Sequence, residues 1–338
     1  TTIHTMEVRI GINGFGRIGR CAARIILSRS DLTLAAINSN SDSSSHAYLL
    51  SHDSVYGLFH KPVHVQDDTL VIGKNRIRCF GAQDPAGIPW GEAAVDIVLE
   101  CTGKSRTTEE TEKHIRESVR GVVISAPAKD ATPTYIMGVN HASYKGERVI
   151  SNSSCTTNCV TTVLKVLDDA LGVVRGNMTT IHAVTDSQNL LDNSHKKNAR
   201  LRRSALVNLI PTASGSAKDV AKLFPHLAGI LPCRAVRVPV PTVSMVDLVV
   251  EVKKEASVDA VNQLFVSASK TGLKGILAVA SEELVSSDYI GSPFSAVVDP
   301  YVTDVVDRTL LHVAAWYDNE WGYANRLVDM AAHMASSV

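Results

Sequence analysis

A cysteine at the start of an apolar, helix-like segment is the residue of this sequence best suited to covalent chemistry. Cys155 lies in the run Ser151-Asn152-Ser153-Ser154-Cys155-Thr156-Thr157-Asn158-Cys159, and the segment Val160–Leu171 follows it. Backbone N–H groups and the positive end of a helix dipole favour a thiolate at such a position. Because the thiolate is the nucleophilic form, Cys155 is the first candidate for covalent catalysis. A disulfide and a zinc site are the competing interpretations.

A second cysteine, Cys159, keeps a thiol sensor or a metal site open as an alternative. Residues at this spacing lie on one helix face. Zinc requires further cysteine or histidine ligands at motif spacing, and the sequence offers no such set, so we expect no metal. Cys159 is then interpreted as a small buried residue, with oxidation of a low-pKa Cys155 left open.

A glycine-rich turn near the beginning predicts a dinucleotide-binding unit. The stretch Gly14-Phe15-Gly16-Arg17-Ile18-Gly19 lies between a predicted strand that ends at Asn13 and a predicted helix that begins at Arg17. Gly14 permits the tight turn, Gly16 lets a pyrophosphate approach the backbone, and Gly19 lets the helix pack closely on the strand. The helix N-terminus then faces the phosphates. We therefore expect an NAD(P)-binding Rossmann unit.

The carboxylate that usually follows this turn is missing. An Asp or Glu about 20 residues further on normally binds the ribose 2′-hydroxyl. The second strand ends instead at Ile37-Asn38-Ser39-Asn40-Ser41, with Asp42 as the first acid. Because no charge at Ser39 would repel a 2′-phosphate, NADP becomes a candidate beside NAD.

The elements that must position these residues follow two patterns. The first third alternates strands and helices and predicts a parallel sheet covered on both faces; the predicted elements are strands Glu7–Asn13, Leu32–Asn38, Val95–Cys101 and Gly121–Ser125, a hairpin of Thr69–Gly73 and Arg76–Phe80, and helices Arg17–Ser28 and Thr108–Val119. Later segments show long alternating strands and predict an α+β domain with a mostly antiparallel sheet; these strands are Asn177–Val184, Arg234–Val240, Val243–Lys253 and Thr309–Trp316. We expect a dinucleotide-binding domain over residues 1–154, joined by a C-terminal helix within 320–338, and a catalytic domain over 155–319.

Composition excludes several classes of function. The chain has 338 residues, with 34 basic and 34 acidic side chains, so no global charge favours nucleic acid or an anionic membrane. No apolar run is long enough for a membrane span. Six irregularly spaced cysteines suit free thiols in a reducing cytoplasm. A polar, basic stretch between His182 and Pro211 is long for a loop and is expected to be functional or an interface element.

Several motifs in order resemble phosphorylating glyceraldehyde-3-phosphate dehydrogenases of the bacterial type, over essentially the whole chain from Met6. The stretches that carry the resemblance are Ile12–Arg20, Asp53–Gly57, Ser125–Lys129, the Ser151–Cys159 run, Thr179–His182, Arg237–Pro241 and Trp316–Tyr323. The resemblance implies that Cys155 attacks the aldehyde to give a thiohemiacetal and then a thioester, which inorganic phosphate converts to an acyl phosphate. It also implies that His182 exchanges the proton, and that the Cys155 N–H and the His182 ring stabilise the oxyanion.

The same resemblance assigns two anion sites and a cofactor cleft. It implies that Thr185 and Arg237 bind the substrate phosphate, whereas Ser154, Thr156, Ser214, Gly215 and a loop arginine bind the attacking phosphate. That arginine is Arg203, with Arg200 as the alternative. Residues implied in the cofactor cleft are Asn13, Gly14, Gly16, Arg17, Ile18, Gly19, Asn38, Ser39, Thr102, Ser125, Asn319 and Tyr323. Asn319 would bind the nicotinamide carboxamide, and Ser194, which replaces a common proline, again favours NADP.

Three other interpretations stay open. An erythrose-4-phosphate dehydrogenase would release an acid in place of an acyl phosphate, and a phosphate-dependence assay would separate the two. A redox-sensing protein on the same fold and an inactive interaction protein are the others, the latter disfavoured because Cys155, His182, Arg237 and Asn319 are all present. The resemblance implies a homotetramer that binds glyceraldehyde 3-phosphate and inorganic phosphate. The cysteine usage and the charge balance predict a cytoplasmic protein with no nucleic-acid or membrane partner.

Overall fold

The computed structural model describes residues 7–196 and 198–337. Residues 1–6, Lys197 and Val338 lie outside this part of the chain. Lys197 belongs to the basic stretch, and the other residues belong to the expected dinucleotide-binding domain. The described chain forms two compact units. One runs to Ser153 and resumes at Ala324, and the other is Ser154–Tyr323.

The first unit is built on one sheet with helices. Its strands are β1 (Val8–Asn13), β2 (Leu32–Asn38), β3 (His64–Gln66), β4 (Thr69–Ile72), β5 (Asn75–Phe80), β6 (Ile97–Glu100), β7 (Gly121–Ile124) and β8 (Val149–Ser151), and its helices are α1 (Arg17–Ile26), α2 (Ser43–Ser51) and α3 (Thr108–Glu112). The eight strands lie in the order β3-β4-β5-β2-β1-β6-β7-β8. All pairs are parallel except β3–β4 and β4–β5. The carboxyl ends of the parallel strands β1 and β6 are therefore neighbours. A doubly wound sheet binds its ligand at such strand ends.

The second unit carries a different sheet. Its helices are α4 (Cys155–Leu171), α5 (Ser216–Leu223) and α6 (Val258–Lys270), and its strands are β9 (Val173–His182), β10 (Ile210–Ala213), β11 (Cys233–Arg237), β12 (Ser244–Val252), β13 (Leu277–Val279), β14 (Ala296–Val306) and β15 (Leu310–Tyr317). The strand order is β10-β11-β9-β12-β15-β14-β13. The pairs β9–β11 and β13–β14 are parallel and the other pairs are antiparallel. Helix α7 (Trp321–Ser336) ends the described chain.

The predicted fold class is confirmed: a Rossmann dinucleotide-binding fold is followed by an α+β fold with a mostly antiparallel sheet. The predicted helix Thr108–Val119 is wrong in length, because α3 ends at Glu112. Two observations account for this. His114 turns its ring into the core, where Nε2 lies 3.2 Å from Glu100, and Glu117 has a left-handed backbone with φ of 53°.

Other differences concern the boundaries of strands. The predicted strand Asn177–Val184 begins earlier, as β9, and the predicted strand Arg234–Val240 stops at Arg237. Strand β14 was not predicted, because Pro300 interrupts its sequence pattern. None of the described helices combines the length and the apolar character that a bilayer span requires.

Candidate active site

Cys155 is the first residue of α4, and the local sequence explains why the helix begins there. Ser154 has an extended backbone and caps the helix, since its Oγ accepts a hydrogen bond from the Thr157 N–H at 3.1 Å. The residue before the cap, Ser153, has a positive φ of 54° and is fully buried. A non-glycine residue in this conformation costs about 1–3 kcal/mol and is characteristic of functional sites. The backbone thus turns sharply just before the cysteine.

His182 ends β9 and lies beside the thiol. Its Nε2 is 3.6 Å from Cys155 Sγ. Its Nδ1 is 2.7 Å from the carbonyl oxygen of Ala183 and 2.6 Å from Nη1 of Arg237, the last residue of β11. Because β9 and β11 are parallel neighbours with His182 opposite Arg237, the sheet register places the guanidinium against the ring.

The charges at this pair differ from the sequence-based expectation of a thiolate. Burial raises the pKa of the Cys155 thiol above its ordinary value, and the opposing influence of Arg237 and the Thr156 N–H is smaller. Burial, together with Arg237, lowers the pKa of His182 to about 3. Burial therefore disfavours the charged form of both groups.

Tyr317, at the end of β15, is a site residue to which the sequence analysis gave no role. Its buried hydroxyl lies 2.9 Å from Thr156 Oγ1 and 2.7 Å from Thr180 Oγ1, and its ring meets the His182 ring edge-on with centroids 6.0 Å apart. Tyr317 thereby ties the first turn of α4 to β9. The motif Trp316–Tyr323 was the signal that could have identified it.

A chain of hydroxyl groups joins the starts of α4 and α5. Ser154 Oγ is 2.8 Å from Thr157 Oγ1, which donates to Ser216 Oγ at 3.2 Å, and Ser214 Oγ donates to Ser216 Oγ at 3.1 Å. Gly215 precedes α5 and is exposed, with open space where a Cβ would lie. The structure thus brings Ser154, Ser214 and Gly215 together at two helix N-termini, which suit anions.

The remaining anion-site candidates have other partners here. Thr185 Oγ1 is 3.0 Å from Ser187 Oγ, and Arg203 pairs with Asp192 at 2.7 Å on the surface. Both arginines considered for phosphate border one cavity of about 250 Å³; its lining residues are Arg200, Arg203, Asn208, Leu209, Ile210 and Pro211. The structure does not connect this cavity by a hydrogen bond to the hydroxyl chain within the described residues.

The glycine-rich turn has the geometry that a dinucleotide needs. Gly14 has a φ of 95°, and a Cβ on it would lie 2.7 Å from the Cys101 backbone. A Cβ on Gly19 would overlap the Gly14 carbonyl oxygen, whereas one on Gly16 would meet open space. Helix α1 begins directly after Gly16 and carries no acidic residue in its first turn. These residues therefore fit a pyrophosphate at the helix start.

Side chains around this turn are largely committed to hydrogen bonds within the protein. The Arg17 guanidinium pairs with Asp53 at 2.5 Å, and Ile18 is half-buried. Asn38 Nδ2 donates to Asn13 Oδ1 at 2.8 Å, and Asn13 Nδ2 donates to Glu100 at 2.6 Å. Any contribution of Arg17, Asn13 and Asn38 to a cofactor would therefore come mainly from their backbone.

Glu100 is a buried carboxylate that the sequence analysis missed. It ends β6 and accepts hydrogen bonds from Asn13, from the backbone and hydroxyl of Thr102, and from His114. Trp90 Nε1 donates to His114 Nδ1 at 3.1 Å, so the His114 hydrogen is on Nε2 and faces Glu100. The Ser125 N–H donates to the Glu100 carbonyl oxygen at 3.0 Å. Glu100 thus fixes the strand ends that carry Asn13, Thr102 and Ser125.

The end of β2 offers hydroxyl groups where a carboxylate is usual. Ser39 is half-buried and its N–H donates to the Phe80 carbonyl. Asp42 caps α2, since its carboxylate accepts from the Ser45 N–H and hydroxyl, each at 2.8 Å. The nearest acid is therefore engaged with a helix start.

Asn319 and Tyr323 lie around the start of α7, and both are buried. Asn319 Oδ1 accepts from Ser244 Oγ at 3.0 Å. Asp318 holds the helix start, since its carboxylate accepts from the N–H groups of Glu320 and Trp321.

Cys159 is fully buried on α4. No group of three or more metal-ligating side chains occurs in the part of the chain that the structure describes.

A doubly wound sheet with this turn defines the class of dinucleotide-binding proteins. The profile of the glyceraldehyde 3-phosphate dehydrogenase NAD binding domain matches residues 8–108, and that of the C-terminal domain matches residues 154–319. The chain belongs to the glyceraldehyde-3-phosphate dehydrogenase family. It is 46% identical over 333 residues to glyceraldehyde-3-phosphate dehydrogenase of Geobacillus stearothermophilus, covering 98% of this chain and 99% of the relative. Identity to glyceraldehyde-3-phosphate dehydrogenase 1 of Bacillus cereus is 46%, covering 97% and 98%, and identity to the Mycobacterium avium protein is 44%, covering 98% and 100%.

Proposed function

We propose that this chain oxidises glyceraldehyde 3-phosphate with NAD or NADP and inorganic phosphate, and that it produces 1,3-bisphosphoglycerate. The observation that carries the proposal is the 3.6 Å approach of Cys155 Sγ to His182 Nε2, with the Arg237 guanidinium on the other side of the ring. A thiol, a proton acceptor and a cation are the groups that this reaction needs. The relatives from Geobacillus and Bacillus carry the name of this enzyme.

The first step follows from the short distance between the thiol and the imidazole. As Cys155 Sγ bonds to the aldehyde carbon, His182 Nε2 accepts the thiol proton, and the pair becomes competent without a preformed thiolate. In the tautomer whose Nδ1 hydrogen faces the Ala183 carbonyl, Nε2 has the lone pair that this transfer requires. The Cys155 N–H at the start of α4 and the protonated ring then stabilise the oxygen of the thiohemiacetal.

A bound nicotinamide ring supplies a hydride acceptor, which is the chemistry that converts the thiohemiacetal to a thioester. The protonated His182 ring first donates its proton to the thiohemiacetal oxygen, and the neutral ring accepts that proton back during this oxidation. Inorganic phosphate then attacks the thioester carbon, the C–S bond breaks, and Cys155 leaves as a thiolate that is reprotonated. The acyl phosphate, like the thioester, is an activated acyl group, so much of the free energy of the oxidation is conserved in the product.

The two phosphate groups are assigned to the residues that the family resemblance implies. Arg237 and Thr185 bind the substrate phosphate, and Ser154, Thr156, Ser214 and Gly215 bind the attacking phosphate. The hydroxyl chain between α4 and α5 supports the second assignment. Thr156 contributes its backbone N–H, since its hydroxyl is bonded to Tyr317. Arg203 joins this site by leaving Asp192, a surface pair of little stability.

The cofactor fits the residues of the first unit. Gly14, Gly16, Arg17 and Gly19 form the start of α1 that receives the pyrophosphate, and Ile18 continues the same turn. Ser39 at the end of β2, Thr102 and Ser125 complete the proposed site in this unit, with Asn13 and Asn38 supporting it. In the second unit, Asn319 and Tyr323 are the proposed cofactor residues. NADP use is supported by the absence of an acid at Ser39, by the capping role of Asp42, and by Ser194 in the loop.

We further propose that the chain works as a cytoplasmic homotetramer, with residues 1–154 and the C-terminal helix as the cofactor domain and 155–319 as the catalytic domain. Support for a reducing compartment comes from the six cysteines, all of which are free thiols. Exposed apolar side chains in the loop before β10 support a subunit contact.

Steady-state rates with NAD and NADP, each with and without phosphate, test this function. We expect turnover of glyceraldehyde 3-phosphate that requires phosphate and accepts NADP, and no turnover by Cys155→Ser. Rates that do not change when phosphate is omitted, or faster turnover of erythrose 4-phosphate, would indicate the acid-releasing relative. Strict NAD use would overturn the assignment of Ser39 and Ser194.

A further inference from the structure

We propose that Ser244 is a positioning residue that orients the Asn319 amide and holds the backbone beside His182, so that the nicotinamide anchor and the base keep one relative geometry. The inference rests on the proposed function, in which Asn319 binds the carboxamide. It concerns a residue that contacts neither the substrate nor the cofactor in that proposal.

The sheet explains why a single side chain can do this. Strand β12 lies between β9 and β15, and Ser244 is its first residue. The antiparallel register places Ser244 opposite Tyr317, two residues before Asn319 on the chain. On the other side, β9 ends at His182. Ser244 thus starts a strand that borders the ends of both its neighbours, and it is 1% exposed.

The direction of each hydrogen bond follows from the chemistry of the groups. The Ala183 N–H can only donate, so Ser244 Oγ accepts it, at 3.1 Å. The hydroxyl has one hydrogen, which it donates to Asn319 Oδ1 at 3.0 Å. The amide of Asn319 is therefore fixed with its oxygen towards Ser244, which leaves Nδ2 as the donor for the carboxamide oxygen of a nicotinamide.

The same serine acts on the base through Ala183. The Ala183 carbonyl lies 2.7 Å from His182 Nδ1 and accepts the Nδ1 hydrogen in the tautomer that the first step needs. Ala183 is fully buried. Without the hydroxyl its N–H would lose its partner, and a buried backbone donor without a partner is unfavourable enough to shift the local backbone.

The experiment compares Ser244→Ala with Thr242→Val. Thr242 is a matched control because its buried hydroxyl lies in the same segment but donates to Asp318 at 3.2 Å. In Ser244→Ala without cofactor, we expect the Ala183 amide to exchange at least about tenfold faster in hydrogen-exchange NMR. We also expect weaker NAD or NADP binding by calorimetry.

Turnover gives the second readout. With glyceraldehyde 3-phosphate deuterated at the aldehyde carbon, the parent should place deuterium on one face of the nicotinamide. Ser244→Ala should place it on both faces and lose about tenfold in kcat, since a misplaced ring departs from the reactive geometry, while KM for the aldehyde stays within a factor of about two. Thr242→Val should keep the parent's selectivity and Ala183 exchange.

The outcomes separate this inference from the proposed function. If Asn319→Ala loses selectivity and a folded Ser244→Ala does not, the role of Ser244 is wrong and that of Asn319 stands. Should Asn319→Ala also behave as the parent, the assignment of the anchor in the proposed function fails. Equal losses in Thr242→Val would show a general packing effect and overturn the inference. If Ser244→Ala does not fold, Ser244→Cys, with a weaker donor, must give intermediate exchange and selectivity.

Discussion

At the scale of single residues, His182 has two neighbours that require opposite hydrogen positions on Nδ1. The Ala183 carbonyl requires a hydrogen there, and the Arg237 guanidinium requires a lone pair. Both cannot be satisfied at once, so the ring has two accessible tautomers. One turns a lone pair towards the thiol and serves the attack; the other turns an N–H towards it and serves the oxyanion. Binding of a substrate phosphate to Arg237 would favour the first.

The buried neutral ring also predicts how stability depends on pH. The unfolded chain binds a proton on this histidine below its ordinary pKa of about 6.5, whereas the folded chain does so only near pH 3. Between these values the unfolded state holds more protons, so lowering the pH favours unfolding by up to about 1.4 kcal/mol per pH unit. Above pH 7 the effect vanishes, since both states are neutral.

The measurement is the urea midpoint at pH 7, 6, 5 and 4 for the parent and His182→Gln, at one protein concentration. The parent should lose stability more steeply than the variant as the pH falls from 7 to 4. Parallel curves over this range would show that His182 takes up its proton without unfolding.

Ser39 gives a second prediction at this scale. Ser39→Asp should restore the ribose acceptor and repel a 2′-phosphate, so the ratio of kcat/KM for NADP to that for NAD should fall at least about tenfold. Ser44→Asp adds the same charge to the exposed start of α2 and is the control. An equal shift in the control would indicate a general effect of charge, and an unchanged ratio in Ser39→Asp would place the ribose elsewhere.

At the scale of elements, two glycines of the glycine-rich turn have different roles: Gly19 is needed for folding, and Gly16 is expected to be needed for cofactor binding. A methyl group on Gly19 would overlap the Gly14 carbonyl, whereas one on Gly16 would point into open space where the pyrophosphate is proposed to lie. We expect Gly16→Ala to keep the parent's melting temperature within about 2 °C and to weaken NAD and NADP binding about tenfold or more. Gly19→Ala should lower the free energy of unfolding by about 1–3 kcal/mol, as overpacking does. Calorimetry and thermal unfolding of both variants decide this, and the reverse pattern would contradict the assignment.

The sequence was most informative where periodicity and turn chemistry agree. Strand β2 has the predicted bounds, Leu32–Asn38, and the turn before α1 is where the glycines placed it. Prediction from the sequence failed where long-range contacts decide local structure. Helix α3 is short because His114 turns inwards to Glu100 and Trp90, and no local pattern reveals that partnership. The thiolate was expected from the helix start alone, but burial depends on the whole unit and raises the pKa of Cys155.

The candidate site shows the same limit. Motifs identified Cys155, His182 and Arg237, and the β9–β11 register explains why the last two meet. Tyr317 and Ser244 were missed, since their roles arise only when β15 and β12 lie beside β9. The motif Trp316–Tyr323 contains Tyr317, but only the sheet order shows which residues Tyr317 and Ser244 contact.

At the scale of the whole molecule, the segment before β10 predicts self-association. It exposes large apolar side chains, and the Ala205 N–H donates to the Asn189 carbonyl at 2.8 Å, which brings the two halves of the segment together. The exposed fractions are 70% for Leu190, 72% for Leu191, 55% for Leu206, 77% for Val207 and 69% for Leu209. Apolar groups clustered in this way on a protein surface indicate an interface, and here we propose a second copy of the chain as the partner.

Charge at this surface should therefore disrupt the assembly. Leu191→Asp and Val207→Asp are expected to convert tetramers to smaller species in sedimentation velocity at micromolar concentration, because a buried unpaired carboxylate disfavours association. Leu58→Asp, at a leucine that is 75% exposed in the other unit, is the matched control and should sediment as the parent does. A parent that sediments as a monomer, or variants that stay tetrameric, would assign this apolar segment to some role other than subunit contact.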